Sequence, residues 1–126
     1  VGRCPSCARN LRSVFCSMTC DPQQSNYLSP NETMEYVDPL TNETLTLITI
    51  LNYHINENYV QGLYDSCSEV VNPSSNSLAL TTYCGIWGED CNAHRLLDSM
   101  GLGEDHGGFS PFDIYFDYSY NLVLFI

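Results

Sequence analysis

The sequence predicts an α/β fold, with helices and short strands mixed along one disulfide-stabilised domain. Three observations predict it. Apolar residues recur at helical spacing near the start and again in the middle of the chain. Thr44, Leu45, Thr46 and Leu47 alternate, which is the period of a strand with one buried face. Seven cysteines in 126 residues point to cross-links in an oxidising compartment.

The elements follow in order. Cys7, Leu11, Val14, Phe15 and Met18 fall on one face of a helix over residues 4–20. Pro5 suits its first turn, where a missing N–H costs nothing. Asp21 before Pro22 ends it, because the residue preceding proline avoids the helical region. Residues 22–34 read as a loop. Tyr36 and Val37, a turn over residues 38–42, and residues 44–47 read as strand, turn, strand. From about Thr49 the spacing changes. Ile48, Leu51, Ile55, Tyr59, Leu63 and Cys67 recur every three or four positions, predicting one long helix to about Val70. Asn72 through Asn76, with Pro73, breaks it. Ser77 is the candidate cap of a short helix over residues 78–83, with Gly85 near its stop. Asp90 or Asn92 caps another helix through Met100, stopped by Gly101. Residues 101–108 read as flexible and acidic, and residues 112–116 as a strand. No internal repeat or linker divides the chain.

Charge narrows the function. Four arginines, no lysine and fifteen acids give a net charge of −11. Nucleic-acid binding needs a basic face to neutralise phosphates, so no nucleic-acid partner is expected. Anionic membranes repel such a chain. With 44% hydrophobic and 15% charged residues it is not a disordered acidic tail. No run of about 18 apolar residues exists to span a bilayer. Arg3, Arg9 and Arg12 cluster at the start, a pattern read as the solvated face of the first helix. The start at Val1, with no apolar signal core, reads as a processed or excised piece. Asn31-Glu32-Thr33 and Asn42-Glu43-Thr44 are N-glycosylation sequons in polar sequence. Together with the cysteines they favour the secretory pathway.

Reactive constellations are weak. Cys4-x-x-Cys7 and Cys16-x-x-x-Cys20 have zinc-ligand spacing, and His54, His94 or His106 would complete a site. In an oxidising lumen disulfides compete for those thiols, so no metal is expected. A thioredoxin-type role for Cys4 and Cys7 lacks the strand such a motif follows. No nucleophile elbow, phosphate loop or His-Glu-x-x-His is present. Glu89-Asp90 and Glu104-Asp105 read as solvated acids. Cys84 and Cys91 flank a short Gly-containing loop, a spacing that suits a local bridge of about 2–3 kcal/mol. Cys16 and Cys20 share a helix face and more plausibly point at other segments than at each other. A bridge from the first helix to Cys67 would contribute about 4 kcal/mol in the same loop-entropy account. Nine tyrosines and five phenylalanines suit either a core or an apolar pocket.

A family resemblance runs through these residues. Arg3-Cys4-Pro5-Ser6-Cys7, Asn10, Phe15-Cys16, Thr19-Cys20, Pro22 and Gln24-Ser25 resemble the luminal amino-terminal domain of the Niemann-Pick type C sterol transporters. Tyr36-Val37-Asp38-Pro39, Thr41-Asn42 with Thr44, Tyr64, Cys67, Pro73-Ser74-Ser75-Asn76, Cys84-Gly85 and Cys91-Asn92-Ala93 continue it in order. The match covers about residues 2–116, and the Tyr-Val-Asp-Pro segment favours the lysosomal over the intestinal branch. Residues 117–126 read as a divergent tail.

The resemblance implies helices around a small mixed sheet and a deep pocket for one sterol, cholesterol or a relative. It implies no reaction and no cofactor. It places the domain in the lumen of late endosomes and lysosomes, fed by a small soluble carrier of the same disease family and joined to the rest of a membrane transporter. It pairs Cys7 with Cys67 and Cys84 with Cys91. It leaves Cys4, Cys16 and Cys20 to partners in flanks this chain lacks, along with most groups that grip the sterol hydroxyl. Glycans are expected on Asn31 and Asn42. Asn10, Phe15, Thr82, Tyr83, Asp98, Ser99, Met100, Pro111, Phe112 and Ile114 are the expected pocket, gate and transfer residues. Thr82 and Tyr83 stand where the family can have leucines. The rival readings are a disulfide-stabilised interaction module without ligand and a zinc-dependent luminal enzyme.

Overall fold

Helix α1 (Pro5–Cys20) buries Cys7, Ala8, Leu11 and Val14 along one stripe, with Phe15 and Met18 packed at its margin. The computed structural model describes residues 5–119. Arg9 and Arg12 sit on the solvated side of α1. Tyr27 closes the end of the helix, its hydroxyl donating to Ser17 O at 3.0 Å and to Asp21 Oδ2 at 2.7 Å. The N–H of Gln23 on Oδ1, then that phenol, hold the Asp21 carboxyl below the usual range.

A single 3₁₀ turn, Gln24–Asn26, leads into β1 (Leu28–Val37), which pairs antiparallel with β2 (Thr44–His54). Two expectations fail here. Residues 22–34 are not all loop, because β1 starts at Leu28. And no helix starts near Thr49: β2 continues to His54. The cause of the second error is a bulge. The register passes from Ile48↔Thr33 to Ile50↔Glu32 and leaves Thr49 unpaired. An unpaired residue resets the alternation of a strand, so Ile48 and Leu51, three apart, line the same hollow and imitate helical spacing.

The true helix, α2 (Glu57–Cys67), has its own start signal. The Asn56 side chain accepts from the N–H groups of Asn58 and Tyr59 at 2.8 and 3.3 Å, as a cap should. Val60, Leu63 and Cys67 form its buried stripe. A bridge between Val71 and Leu78 ties off the next loop. Helix α3 (Ala79–Tyr83) follows, but Ser77 does not cap it: its hydroxyl is bonded to that of Ser75. Helix α4 (Ala93–Met100) is capped by Asn92, whose side chain accepts from Arg95 N at 2.9 Å. Gly101 stops it. Residues 101–108 hold one 3₁₀ turn, Glu104–His106. Strand β3 (Asp113–Asp117) then lies parallel to β2, giving a mixed sheet in the order β1-β2-β3.

The helices cover one face of this sheet. Leu51 and Tyr53 on β2, Ile55 just after it, and Ile114 on β3 meet Val14, Val60, Leu63, Leu96 and Leu97. Tyr53 lies between Tyr27 and Phe116, with ring centroids 5.6 and 5.3 Å away. Its hydroxyl donates to Val14 O at 2.8 Å, and burial pushes that phenol well up. Cys7 and Cys67 form a disulfide between α1 and the end of α2, and Cys84–Cys91 closes the 3₁₀ segment Gly85–Asp90. Cys16 and Cys20 are exposed free thiols; Cys4 lies outside the described residues. The sheet end continues to Ser119, which bridges to Asn56. The rest of the expected tail also lies outside.

Candidate functional site

The sheet and α1 do not close against each other at one corner. There Met18 and Thr19 of α1, Gln24 and Ser25 of the 3₁₀ turn, Leu28, Ser29 and Pro30 of β1, Ile48 and Leu51 of β2, and Phe112 enclose a cleft of about 320 Å³. Its walls are largely hydrocarbon, with hydroxyl and amide groups only from Thr19, Gln24, Ser25 and Ser29. Such a hollow suits an apolar ligand carrying few polar atoms.

Phe112 is held there by the loop before β3. Glu104 N donates to Ser110 O at 2.8 Å, Ser110 N to Leu102 O at 3.1 Å, and the Ser110 hydroxyl to Phe112 O. Gly103 N donates to Asp113 Oδ1 at 2.7 Å. His106 Nδ1 adds a contact with the Asp113 carboxyl at 3.1 Å. Gly101 permits the turn from α4 into this loop: a Cβ there would lie 2.8 Å from Ile114 O and 2.9 Å from the Phe116 ring.

A second hollow of about 280 Å³ adjoins the cleft. One wall is Met34, Leu47, Ile48 and Thr49, and the other runs over Gly103, Glu104, Asp105, Pro111 and Asp113. Ile48 and Phe112 line both spaces, so the two share a wall.

The structure brings only two of the residues expected from sequence to this corner. Phe112 lines the cleft and Pro111 its neighbour. Ile114 is a core residue one strand in, paired with Leu51. Asn10 is turned to α2, donating to Ser66 Oγ at 3.0 Å, and lines neither space. Phe15 borders a separate open hollow on the outer side of α1, with Leu11, Cys16 and Thr19. Thr82 and Tyr83 are exposed on α3. Asp98 accepts from the Tyr118 hydroxyl at 2.6 Å. Ser99 abuts Gly85, where a Cβ would come within 2.7 Å of its Oγ. Met100 packs on the core. Sequence reasoning missed Met18, Leu28, Pro30, Ile48 and Leu51. The available signal was the β-branched and threonine-rich run from Thr44, which outweighs a three-residue apolar spacing once a bulge is allowed.

Each histidine pairs with a carboxylate from another segment: His54 with Asp117 at 2.8 Å, His94 with Glu57 at 3.3 Å, His106 with Asp113. Two hydrogen bonds from Ser119, then His54, hold Asp117 down at about 2. His94 also stacks on Tyr118 at 3.9 Å. Among the described residues no three His, Cys, Asp or Glu side chains converge as a metal site would need. Cys7 is held in its disulfide and cannot join Cys4 as a ligand pair.

Comparison with known proteins gives a consistent result. The family described as "Niemann-Pick C1 N terminus" matches residues 1–122. "NPC intracellular cholesterol transporter 1" of Sus scrofa is 41% identical over 114 residues, covering 90% of this chain and 9% of that protein. "NPC1-like intracellular cholesterol transporter 1" of Homo sapiens is 33% identical over 115 residues, covering 90% of this chain and 8% of that protein. A homologue of the former in Drosophila melanogaster is 28% identical over 119 residues, 93% of this chain and 9% of that protein. The chain thus spans less than a tenth of these relatives, which are named as transporters and not as enzymes. Among the described residues no helix is long and apolar enough to cross a membrane.

Proposed function

The chain belongs to the Niemann-Pick C1 N-terminal family, and from that premise we propose that it binds one sterol, cholesterol or a relative, in the cleft at Phe112. The observation that carries this reading is the cleft itself: an apolar space of about 320 Å³ at the loop before β3. A sterol is a rigid hydrocarbon plate with one hydroxyl. Its body would lie against Leu28, Pro30, Ile48, Leu51 and Phe112, where each buried Å² of apolar surface contributes about 25 cal/mol. Its rigidity limits the entropy lost on binding. Thr19, Gln24, Ser25 and Ser29 offer the polar atoms for a hydroxyl end, completed by groups outside this chain.

In this reading Pro111 and Phe112 gate the cleft, and Thr82, Tyr83, Asp98, Ser99 and Met100 form the neighbouring surface that a small soluble carrier meets as it hands over sterol. No bond is made or broken, and no cofactor is needed. The domain works in the endo-lysosomal lumen and passes sterol to the remainder of a membrane transporter. Asn31 and Asn42, both exposed on the β1–β2 hairpin, carry glycans there. The exposed Cys16 and Cys20 thiols pair with cysteines beyond this chain.

Titration with radiolabelled cholesterol tests the reading, on this chain and on a form extended at both ends. Saturable binding to either form is expected. Phe112→Ala should weaken it at least tenfold, the loss of about 1.5–3 kcal/mol of aromatic burial, with the circular dichroism spectrum unchanged. Absence of binding by both forms, or full binding by the Phe112 variant, overturns the proposal and favours a ligand-free interaction module.

A further inference from the structure

The β1–β2 hairpin extends past the helices, and its outer half has an apolar face that this chain leaves uncovered. Register pairs Met34 with Leu47 and Tyr36 with Leu45, so these four side chains share one face. Each is between 40% and 50% exposed. The opposite face carries Thr33, Glu35, Thr44 and Thr46 together with Val37 and Ile48, so it is the more polar of the two. The apolar face looks across the second hollow at Glu104 and Asp105.

The charge around this groove has one sign. Glu32, Asp38 and Glu43 lie on the hairpin and Glu104 and Asp105 on the opposite wall, and residues 28–53 contain no lysine, arginine or histidine. A second copy carries the same net charge of −11 and would bring acid against acid. Anionic bilayers are repelled for the same reason. An apolar floor with acidic rims selects a protein segment in which basic and apolar residues alternate, since a strand presents the two kinds to opposite sides.

We infer that the groove between the Met34–Leu47 face and the Glu104–Asp105 loop is a docking site for an extended, basic and apolar segment of a protein partner. The site stands apart from the sterol reading, because it needs no ligand in the cleft. The segment lies along the hairpin, its apolar side chains on Met34, Tyr36, Leu45 and Leu47 and its cations toward the acids on either side. It would reach Ile48 and Phe112, which also border the cleft.

The probe is a short capped peptide alternating lysine and valine, titrated into the ¹⁵N- and methyl-labelled chain. Saturable shifts are expected at Met34, Leu45, Leu47, Glu104 and Asp105. The double variant Glu104→Gln, Asp105→Asn should weaken binding about tenfold, as loss of two partly exposed charge pairs requires. Leu47→Asn should weaken it similarly at an exposed position where the fold tolerates the change. A glutamate–valine peptide should not bind. Shifts spread evenly over all acidic surfaces, equal affinity for the variants, concentration-dependent dimerisation through this face, or binding of the face to phosphatidylcholine vesicles in place of the peptide would each overturn the inference.

Discussion

The two halves of β2 live under different rules. Toward the helices, Tyr53 and Ile55 are fully buried and every polar atom on that side finds a partner; no buried side-chain polar atom is left unbonded among the described residues. Along the outer hairpin, Leu45, Leu47 and Ile48 on the same strand stay substantially exposed. One strand therefore serves both as the spine of a core and as one side of an open arm. The difference teaches where stability resides and where binding energy remains unused.

The sharpest way to break the contrast is to unstaple the helical side. Cys7 and Cys67 are 60 residues apart in sequence, and closing such a loop stabilises by about 4 kcal/mol in the loop-entropy account. The double variant Cys7→Ser, Cys67→Ser should lose about that much, read by chemical denaturation, and should place two hydroxyls in an apolar interior. A loss under about 1 kcal/mol would mean that α1 and α2 hold together by packing alone.

Next comes Tyr53→Phe. It keeps the ring between Tyr27 and Phe116 but removes the donor to Val14 O. Val14 O keeps its partner inside α1, so the loss is that of one buried hydrogen bond, about 0.5–1.5 kcal/mol. Tyr36→Phe on the arm removes the same atom from a half-exposed ring and should change stability within about 0.5 kcal/mol. Equal losses at the two tyrosines would erase the distinction between the core and the arm.

How much of this was legible follows the same division. Helix α1 was readable because its stripe repeats over four turns and Pro22 stops it. Asn92 and Gly101 marked α4 through capping chemistry that acts within a few residues. The hairpin was legible at its turn, where the Asp38 side chain accepts from Leu40 N and Asn42 adopts positive φ, and at the strand ends beside it, residues 36–37 and 44–47. Its extent was hidden by the Thr49 bulge, a feature of pairing between strands that local spacing does not encode. The cleft was hidden for the same reason. Four of its apolar residues, Leu28, Pro30, Ile48 and Leu51, sit on strands misread as loop or helix. Only Phe112 was named in advance, through the family resemblance.

The end of the sheet gives a smaller, pH-dependent effect. Asp117 is held at about 2, against an ordinary 3.8, by Ser119 and then by His54. A carboxyl with a depressed folded value stabilises fully above its unfolded value and loses that contribution as pH falls through the folded one. The loss should therefore run from about pH 4 down to about 2. Because the group is nearly half exposed, water screens much of the effect. Asp117→Asn should flatten the acid limb of the stability curve between those values, by lowering stability modestly at neutral pH and leaving it almost unchanged near pH 2. An acid limb identical to that of the parent chain would show that the Ser119 clasp on β3 contributes nothing.

The smallest effect belongs to the arm itself. Leu47→Thr substitutes a residue of high strand propensity for an exposed leucine on a face that already alternates with threonines. The side chain is 41% exposed, so little burial is lost, and stability should change by about 0.5 kcal/mol or less. The same shortening at Leu96, fully buried on α4, would open a cavity and cost several-fold more. If Leu47→Thr instead unfolds the chain as deeply, then the arm is part of the core in solution and its apolar face is already covered. If it is neutral, the leucine contributes nothing to the fold, and a partner that buries it gains its full transfer energy on docking.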